Sequence, residues 1–555
     1  MRLDLLKKKP LLRKRTLSST QLTLDGNSLS TFDVISASYN VEQEVTVSKD
    51  CIKRLKDSHL LLNQMVNSNR VIYGVNTSVG GFVNCLVATK HAQKLQENLI
   101  SAVATNVGPY LDDTVVRAAM LVRLNSLARG CSGISYENFN KLLKIYNAGI
   151  IPCIPSKGSL GASGDLGPLA CIALVAIGKW KATYKGKILS GDKALELAGI
   201  KPMKLGFKEG LSLVNGTSAM TGFAAILIEE VISLIKTYDV ISCLTFEGLK
   251  VKKKPFNPIV HLQKPHQGQL QTAENIWSLL EDSKMIVDER DVEKQLQDHK
   301  NETITFTDSP IEDAYSIRCT PHIVGPIRDT IQWIQSTIAN EINSSNDNPL
   351  IIPDCQEVFH NGHFHGQYIS MAMDYLSICL TTLSNLSDRR IDRFMDKHHS
   401  NGLPPFLCNK NAGLRLGLMG GQFMSTSLTA ENRSLCNPVS IQSLTSTGDF
   451  QDHVSMGLVA ARRAREIYEN TSYVLAFELL CAAQAAEIRN AELLSTPTKH
   501  MFTIVRESVP FVSEDRCLTD DLEKISTLIK SGYLLKEIEN SLGKKIIFSK
   551  TEKRI

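Results

Sequence analysis

No Cys-x-x-Cys pair occurs among the thirteen cysteines, which are scattered from Cys51 to Cys517. An odd, dispersed set of this kind argues against a disulfide framework and for free thiols in a reducing compartment. Long apolar runs are missing as well. The most apolar stretches, 169–177 and 223–235, fall short of the roughly 20 residues that cross a bilayer, and the second carries Glu229 and Glu230. Charge of one sign is scarce: the net +5 over 555 residues leaves no footprint for a nucleic-acid partner. Much of that excess lies at the start, where Arg2, Lys7, Lys8, Lys9, Arg13, Lys14 and Arg15 face Asp4 alone. The run lacks the apolar core of a signal peptide, and Asp4 counts against a transit peptide. A flexible basic arm over 1–28 and a cytoplasmic location are therefore expected, with no membrane partner.

What is present is helical periodicity. With 43% hydrophobic and 21% charged residues, the chain has enough apolar material for an extensive core. From Phe223 the residues Ile226, Leu227, Val231, Leu234 and Ile235 fall on one broad face with the acids opposite. Residues 455–493 run without proline and read as one long helix. Residues 327–343 and 366–396 are also helical, while strand-like alternation is confined to short pieces such as Ile188-Leu189. The fold class expected is mainly α: a long-helix bundle over 221–525, preceded by a smaller domain over 29–220 and followed by a Lys-rich tail over 526–555. Long helices with several apolar faces need partners, so an oligomer is expected. The polar joint from Asp298 to Thr303 reads as a mobile loop inside the bundle. No internal repeat stands out.

The most informative segment is Gly158-Ser159-Leu160-Gly161-Ala162-Ser163-Gly164-Asp165-Leu166-Gly167-Pro168. It lacks the Gly-Lys-Ser/Thr ending of a phosphate loop. It is not a nucleophile elbow either, because Asp165 stands where the second glycine of Gly-x-Ser-x-Gly belongs. Ala162-Ser163-Gly164 can instead react with itself. If the Gly164 nitrogen is pressed onto the Ala162 carbonyl carbon, a five-membered ring closes, and loss of two waters leaves 4-methylidene-imidazol-5-one. The flanking glycines permit the torsions and close approaches this compression requires. The product is an electrophile that takes up an amine, a capacity no ordinary side chain supplies.

This string resembles the signature of the enzymes that carry methylidene-imidazolone: histidine, phenylalanine and tyrosine ammonia-lyases and the aromatic aminomutases. The resemblance extends from about residue 30 to 520, with further motifs in family order. Tyr73-Gly74-Val75-Asn76-Thr77-Ser78-Val79-Gly80-Gly81 matches a glycine-rich lid whose tyrosine is the catalytic base. An ordinary tyrosine titrates near pH 10, so acting at neutral pH requires about 4 kcal/mol of local electrostatics. The resemblance gives Asn215, in Asn215-Gly216-Thr217-Ser218, a place beside the prosthetic ring and the substrate carboxylate. It makes Arg318 the carboxylate grip, a task suited to a planar bidentate donor, and Tyr315 a second active-site tyrosine. It puts Leu211, Asn348, Phe364 and Gln451 against the substrate. A homotetramer with shared active sites, in which Tyr73, Asn215 and Arg318 meet only on association, is implied too. The His360-x-x-His363-x-His365 cluster lacks the pairing of a metal site, so no metal is expected, and these histidines are placed at a polar cavity.

Within the family, Gln451 occupies the position where histidine lyases carry a glutamate, which argues against an imidazolium substrate. Counting from Gln96-Glu97-Asn98-Leu99-Ile100, the selectivity pair is Ala102-Val103, small and apolar, which favours phenylalanine over tyrosine. Glu312-Asp313 in place of Gln-Asp, and Thr447 in place of a plant-type glutamate, resemble the bacterial phenylalanine and tyrosine 2,3-aminomutases. Two departures stand out: those mutases often have Thr-Ser-Gly for Ala162-Ser163-Gly164, and a glutamine where this chain has His322. The expected activity is aromatic amino acid 2,3-aminomutation with leakage of the arylacrylate. A plain phenylalanine or tyrosine ammonia-lyase is the alternative, and a non-catalytic helical scaffold is the remote one.

Overall fold

The computed structural model describes residues 21–549 apart from 289, 291–292, 295–302 and 305–309. Its core is built on long helices: Asp113–Ala128, Ser218–Gly248, Thr320–Ile342, Gln367–Met395 and Gly457–Arg489. Ser218–Gly248 lies centrally, packed on Asp113–Ala128, Gly457–Arg489 and Thr320–Ile342. Gly222 allows one of these crossings, since a Cβ there would lie 2.5 Å from the Ala119 nitrogen. The amphipathic face expected from Phe223 is not what forms. This helix is buried almost all round, and its acids are absorbed by neighbours. Glu229 accepts from Thr31 Oγ1 at 2.6 Å, and Glu230 accepts from the Tyr39 hydroxyl and pairs with Arg465. The apolar run at 223–235, read as too short to span a bilayer, thus belongs to a 31-residue helix that is long and apolar enough by composition. Of its most apolar window, 83% is buried inside the fold, so its apolar surface is already covered by protein.

Other boundaries shift for identifiable reasons. The arm drawn over 1–28 is shorter at its C-terminal side: Gln21–Leu24 pairs in parallel with Glu44–Val47. Ser30 then closes a capping box with Asp33 ahead of Thr31–Tyr39. Residues 1–20 lie outside the described residues, as does the Asp298–Thr303 joint except for Thr303. The long helix drawn over 455–493 begins at Gly457, after Met456 at φ 57°, and ends at Arg489. The tail drawn over 526–555 is folded as far as 549. Thr519–Lys530 and Tyr533–Leu542 are helices, and Leu534, Leu535, Ile538, Ile546 and Phe548 are buried. Lysines dominate the composition there and conceal the apolar spacing. One hydrophobic core runs through both sides of the boundary drawn at 220.

Short sheets and helix starts place the site. Leu350–Ile352 and Glu357–Phe359 form a hairpin that delivers residues 360–366. Leu166–Ala176 starts directly after Ala162-Ser163-Gly164-Asp165, and Ser218–Gly248 directly after Asn215-Gly216-Thr217. Gly457–Arg489 joins them: the Ser455 and Met456 N–H groups donate to the Gly161 and Leu160 carbonyls. Helix N-termini carry partial positive charge, and here several gather around residues 160–166.

Candidate active site

At the centre of this gathering, Gly161 (φ 76°) and Gly164 (φ 69°) turn the backbone through the left-handed region. A Cβ on Gly164 would sit 2.1 Å from the Gly216 carbonyl oxygen, so only glycine fits. Asp165 N–H donates to that oxygen at 2.7 Å, and Gly216 N–H returns a bond to the Ser163 carbonyl at 3.2 Å. The Ser163 hydroxyl donates to Asn215 Oδ1 at 2.7 Å. Asn215 Nδ2 in turn donates to Asp347 Oδ1 at 2.8 Å and to the Asn348 carbonyl at 3.2 Å. Asp165 is buried beneath the turn, accepting from Met220 N–H and the Ser159 hydroxyl. Burial pushes its carboxyl up to about 7.

Tyr73 faces this turn from the lid. Its N–H donates to His360 Nε2 at 3.2 Å, its hydroxyl accepts from Gly80 N–H at 2.9 Å, and its ring stacks on Phe450 with centroids 6.5 Å apart. The lid is held from the far side by the turn at 446–451. A Cβ on Gly80 would meet Thr447 Cγ2 at 2.9 Å, and Thr447 itself is left-handed at φ 57°, an unfavourable conformation for a β-branched residue. Burial raises the Tyr73 phenol above its ordinary value, opposed by the Gly80 N–H. That direction is opposite to what a base at neutral pH needs.

Turn and lid enclose a cavity of about 770 Å³. Among the residues expected at the site, Tyr73, Ala162, Ser163, Leu211, Asn215, Asn348, Phe364 and Gln451 line it. Tyr73 and Asn215 therefore share one cavity within a single chain, and of the three residues expected to meet on association Arg318 is the one missing from it. Arg318 and Tyr315 do not reach it. Arg318 donates through Nε to the Asp313 carbonyl, pairs with Glu312 at 2.8 Å and lies over the Tyr315 ring, which is 70% exposed. Ala102-Val103 is also absent from the lining. Ala102 is exposed at the end of the helix Ala92–Val103, whose Gln96 braces the lid by donating to the Gly74 carbonyl.

Among the described residues no group of three or more His, Cys, Asp or Glu side chains is placed to hold a metal ion. His360 and His365 line the cavity, and His365 stacks on His453 with centroids 5.7 Å apart. Gln451 presents an occupied amide, its Oε1 accepting from Thr447 Oγ1 at 2.6 Å. Sequence reasoning missed Phe450, since one aromatic in a polar turn carries no signal of a stack. It also missed Lys208, a lone lysine before Glu209, which pairs with Asp347 inside the protein.

The family model for aromatic amino acid lyase matches residues 29–507. A tyrosine ammonia-lyase from Cupriavidus metallidurans is 41% identical over 522 residues, covering 93% of this chain and 98% of its own. A histidine ammonia-lyase from Natranaerobius thermophilus is 41% identical over 512 residues, covering 92% and 97%. Among solved structures, a phenylalanine aminomutase from Pantoea agglomerans superposes with a TM-score of 0.90 at 56% identity, covering 93% of this chain and all of that one.

Proposed function

The chain belongs to the aromatic amino acid lyase family, and from that membership we propose that it is a 2,3-aminomutase converting an L-α-aromatic amino acid, phenylalanine foremost, into its β-amino acid. The observation carrying the reading is the Ala162-Ser163-Gly164 turn with its hydroxyl fixed by Asn215, inside a cavity whose apolar contacts come from Leu211, Phe364 and Phe450. The 56% identity to a phenylalanine aminomutase supports the mutase assignment.

The residues fit a methylidene-imidazolone formed from that turn: Gly164 admits no Cβ, and the backbones of Ala162 and Gly164 lie side by side. Once formed, the group supplies the electrophile that makes an amino group able to leave. The chain does the remaining work. Tyr73 Oη takes the β-proton of the substrate and holds it. Leu211, Phe364 and Phe450 receive the ring, and a neutral, internally bonded Gln451 offers no charge to an imidazolium. The lid closes over the arylacrylate and excludes water; retention lets nitrogen return at the neighbouring carbon, and escape yields the acrylate and ammonia. Arg318 and Tyr315, facing outward here, complete the carboxylate end in a homotetramer whose sites are shared between copies.

Purified protein given L-phenylalanine, L-tyrosine or L-histidine tests the reading, with arylacrylate and β-amino acid resolved by chromatography. β-Phenylalanine should be the main early product, with cinnamate rising slowly. The 41% identity to tyrosine and histidine ammonia-lyases favours the alternative, plain ammonia elimination. Cinnamate alone, even with ammonia added back, would establish that alternative.

A further inference from the structure

Lys208 and Asp347 form an ion pair with both side chains excluded from solvent. Two features set it apart from a packing accident. The first is backbone strain: Lys208 sits at φ 63°, a left-handed conformation that L residues with side chains avoid. The second is full use of both charged groups. The ammonium donates to Asp347 Oδ2, to the Ser132 carbonyl at 3.1 Å and to Ser212 Oγ at 3.2 Å. The other carboxylate oxygen accepts from Asn348 N–H at 2.7 Å and from Asn215 Nδ2 at 2.8 Å. Arg123, also buried, adds positive charge beside the pair while donating to the Asn346 side chain and the Ser212 carbonyl. Buried ion pairs seldom stabilise a fold better than apolar residues of the same volume, so the reason for this one lies in what it orients.

What it orients is a carboxamide. The oxygen and nitrogen of an asparagine side chain are nearly equal in size, and only the partners decide which way it points. An ionised carboxylate accepts and never donates, so Asp347 forces Asn215 Nδ2 toward itself and turns Oδ1 onto the Ser163 hydroxyl, 2.7 Å away. With Asp347 neutral and able to donate, only the longer bond to the Asn348 carbonyl, 3.2 Å, still favours this orientation; the flipped amide gains population, and in it Ser163 faces an N–H.

We propose that Lys208 and Asp347 are positioning residues for closure of the Ala162-Ser163-Gly164 ring, acting through Asn215. The proposal rests on the reading that this chain makes methylidene-imidazolone. In the closure, the Gly164 nitrogen bonds to the Ala162 carbonyl carbon. The carbonyl oxygen departs as water with the protons of the Gly164 and Ser163 amides, leaving a carbon–nitrogen double bond. The Ser163 Cβ–Oγ bond then breaks as Cα loses its proton, and the second water leaves a carbon–carbon double bond with no oxidant required. Asn215 Oδ1 holds the hydroxyl in one rotamer, so the Cβ–Oγ bond is aligned when the Cα proton goes.

Intact-mass spectrometry and the near-ultraviolet band of the purified full chain test this without recourse to activity. The double variant Lys208→Met/Asp347→Asn removes both charges together, and Asp347→Asn alone is isosteric should the double variant fail to fold. The fraction of chains two waters lighter than the sequence should grow about tenfold more slowly in either variant, the usual weight of a partner that orients a reactive group. Asn215→Ala should show the same lag, and combining it with Lys208→Met/Asp347→Asn should add nothing further, a non-additivity that general destabilisation would not produce. Variants that mature as fast and as fully as the wild type, or a lag that adds to that of Asn215→Ala, would overturn the proposal. A wild-type chain of unmodified mass would overturn the underlying cofactor reading instead, which keeps the two failures distinct.

Discussion

The floor and the lid of the cavity are built on different foundations. The floor, Ala162-Ser163-Gly164 with Asn215, stands at the starts of helices that run through the main core, and its polar atoms are tied to buried Asp347, Lys208 and Asp165. The lid stands in part on a separate small cluster of Leu61, Leu62, Met65, Val66, Ile72, Val75 and Ile351, while its Tyr73 and Val79 lean on the main core. Phe82 and Leu86 on the lid are more than two-thirds exposed. On the proposed function the contrast separates two tasks. Backbone cyclisation needs atoms held fixed against a stiff support, whereas capture and release of a substrate needs a segment whose local opening is cheap. The proposed carboxylate grip, Arg318, lines neither region within one chain and is held by Asp313 and Glu312 instead.

If the floor alone makes the electrophile, Ser163→Ala should abolish the near-ultraviolet band and the two-water mass deficit, and lower turnover by about a thousandfold or more. Tyr73→Phe should cost about a thousandfold in kcat, the weight of a general base, while leaving band and mass untouched. A lost band in that variant would join the two regions into one. Arg318→Met should lower kcat/KM by about a hundredfold through lost carboxylate binding. It should also move the alkaline rise of activity to higher pH. The Tyr73 phenol is raised by burial, activity grows as it deprotonates, and a cation brought near favours that form.

Loosening the lid should change the product more than the rate. Phe450→Leu removes a stacked aromatic pair worth roughly 1 kcal/mol, and should shift the early product ratio toward cinnamate by about fivefold; Val79→Gly should act in the same direction. The smallest effect concerns the floor's stability. Asp165 in the floor, and Glu247 at the far end of the helix Ser218–Gly248, are both held near 7 by burial, above their ordinary carboxyl values. Each therefore keeps a proton in the folded state that the unfolded chain has lost. Their contribution is fully present below about pH 4 and disappears as the pH rises through about 7. Asp165→Asn should flatten part of that decline in a series of denaturation midpoints against pH.

Legibility in the sequence followed the same division. The floor was readable because backbone chemistry demands a specific local string, and residues 158–168 carry it contiguously. Tyr73 and Asn215 were readable as members of glycine-bearing motifs. The supports were not, because they join distant positions: Lys208 and Asp347 lie 139 residues apart, and nothing near either one announces the other. Phe450 on Tyr73 is hidden for the same reason. Ala102-Val103 was placed by counting along its helix from Gln96, and a count cannot say which way the helix end faces. The folded tail through Phe548 is hidden because its lysines mask the apolar spacing of Leu534, Leu535 and Ile538.

The division of labour between copies is tested most directly by complementation. Ser163→Ala and Arg318→Met chains, each carrying a different tag, would be co-expressed and the mixed oligomers isolated through both tags. Each variant alone should be nearly inactive. Mixed oligomers should recover about a quarter of wild-type activity, because random assembly places an intact Ser163 from one copy opposite an intact Arg318 from another at that fraction of sites. Verified mixed oligomers with no activity above the separate variants would contradict the account, since floor and grip would then have to come from the same chain.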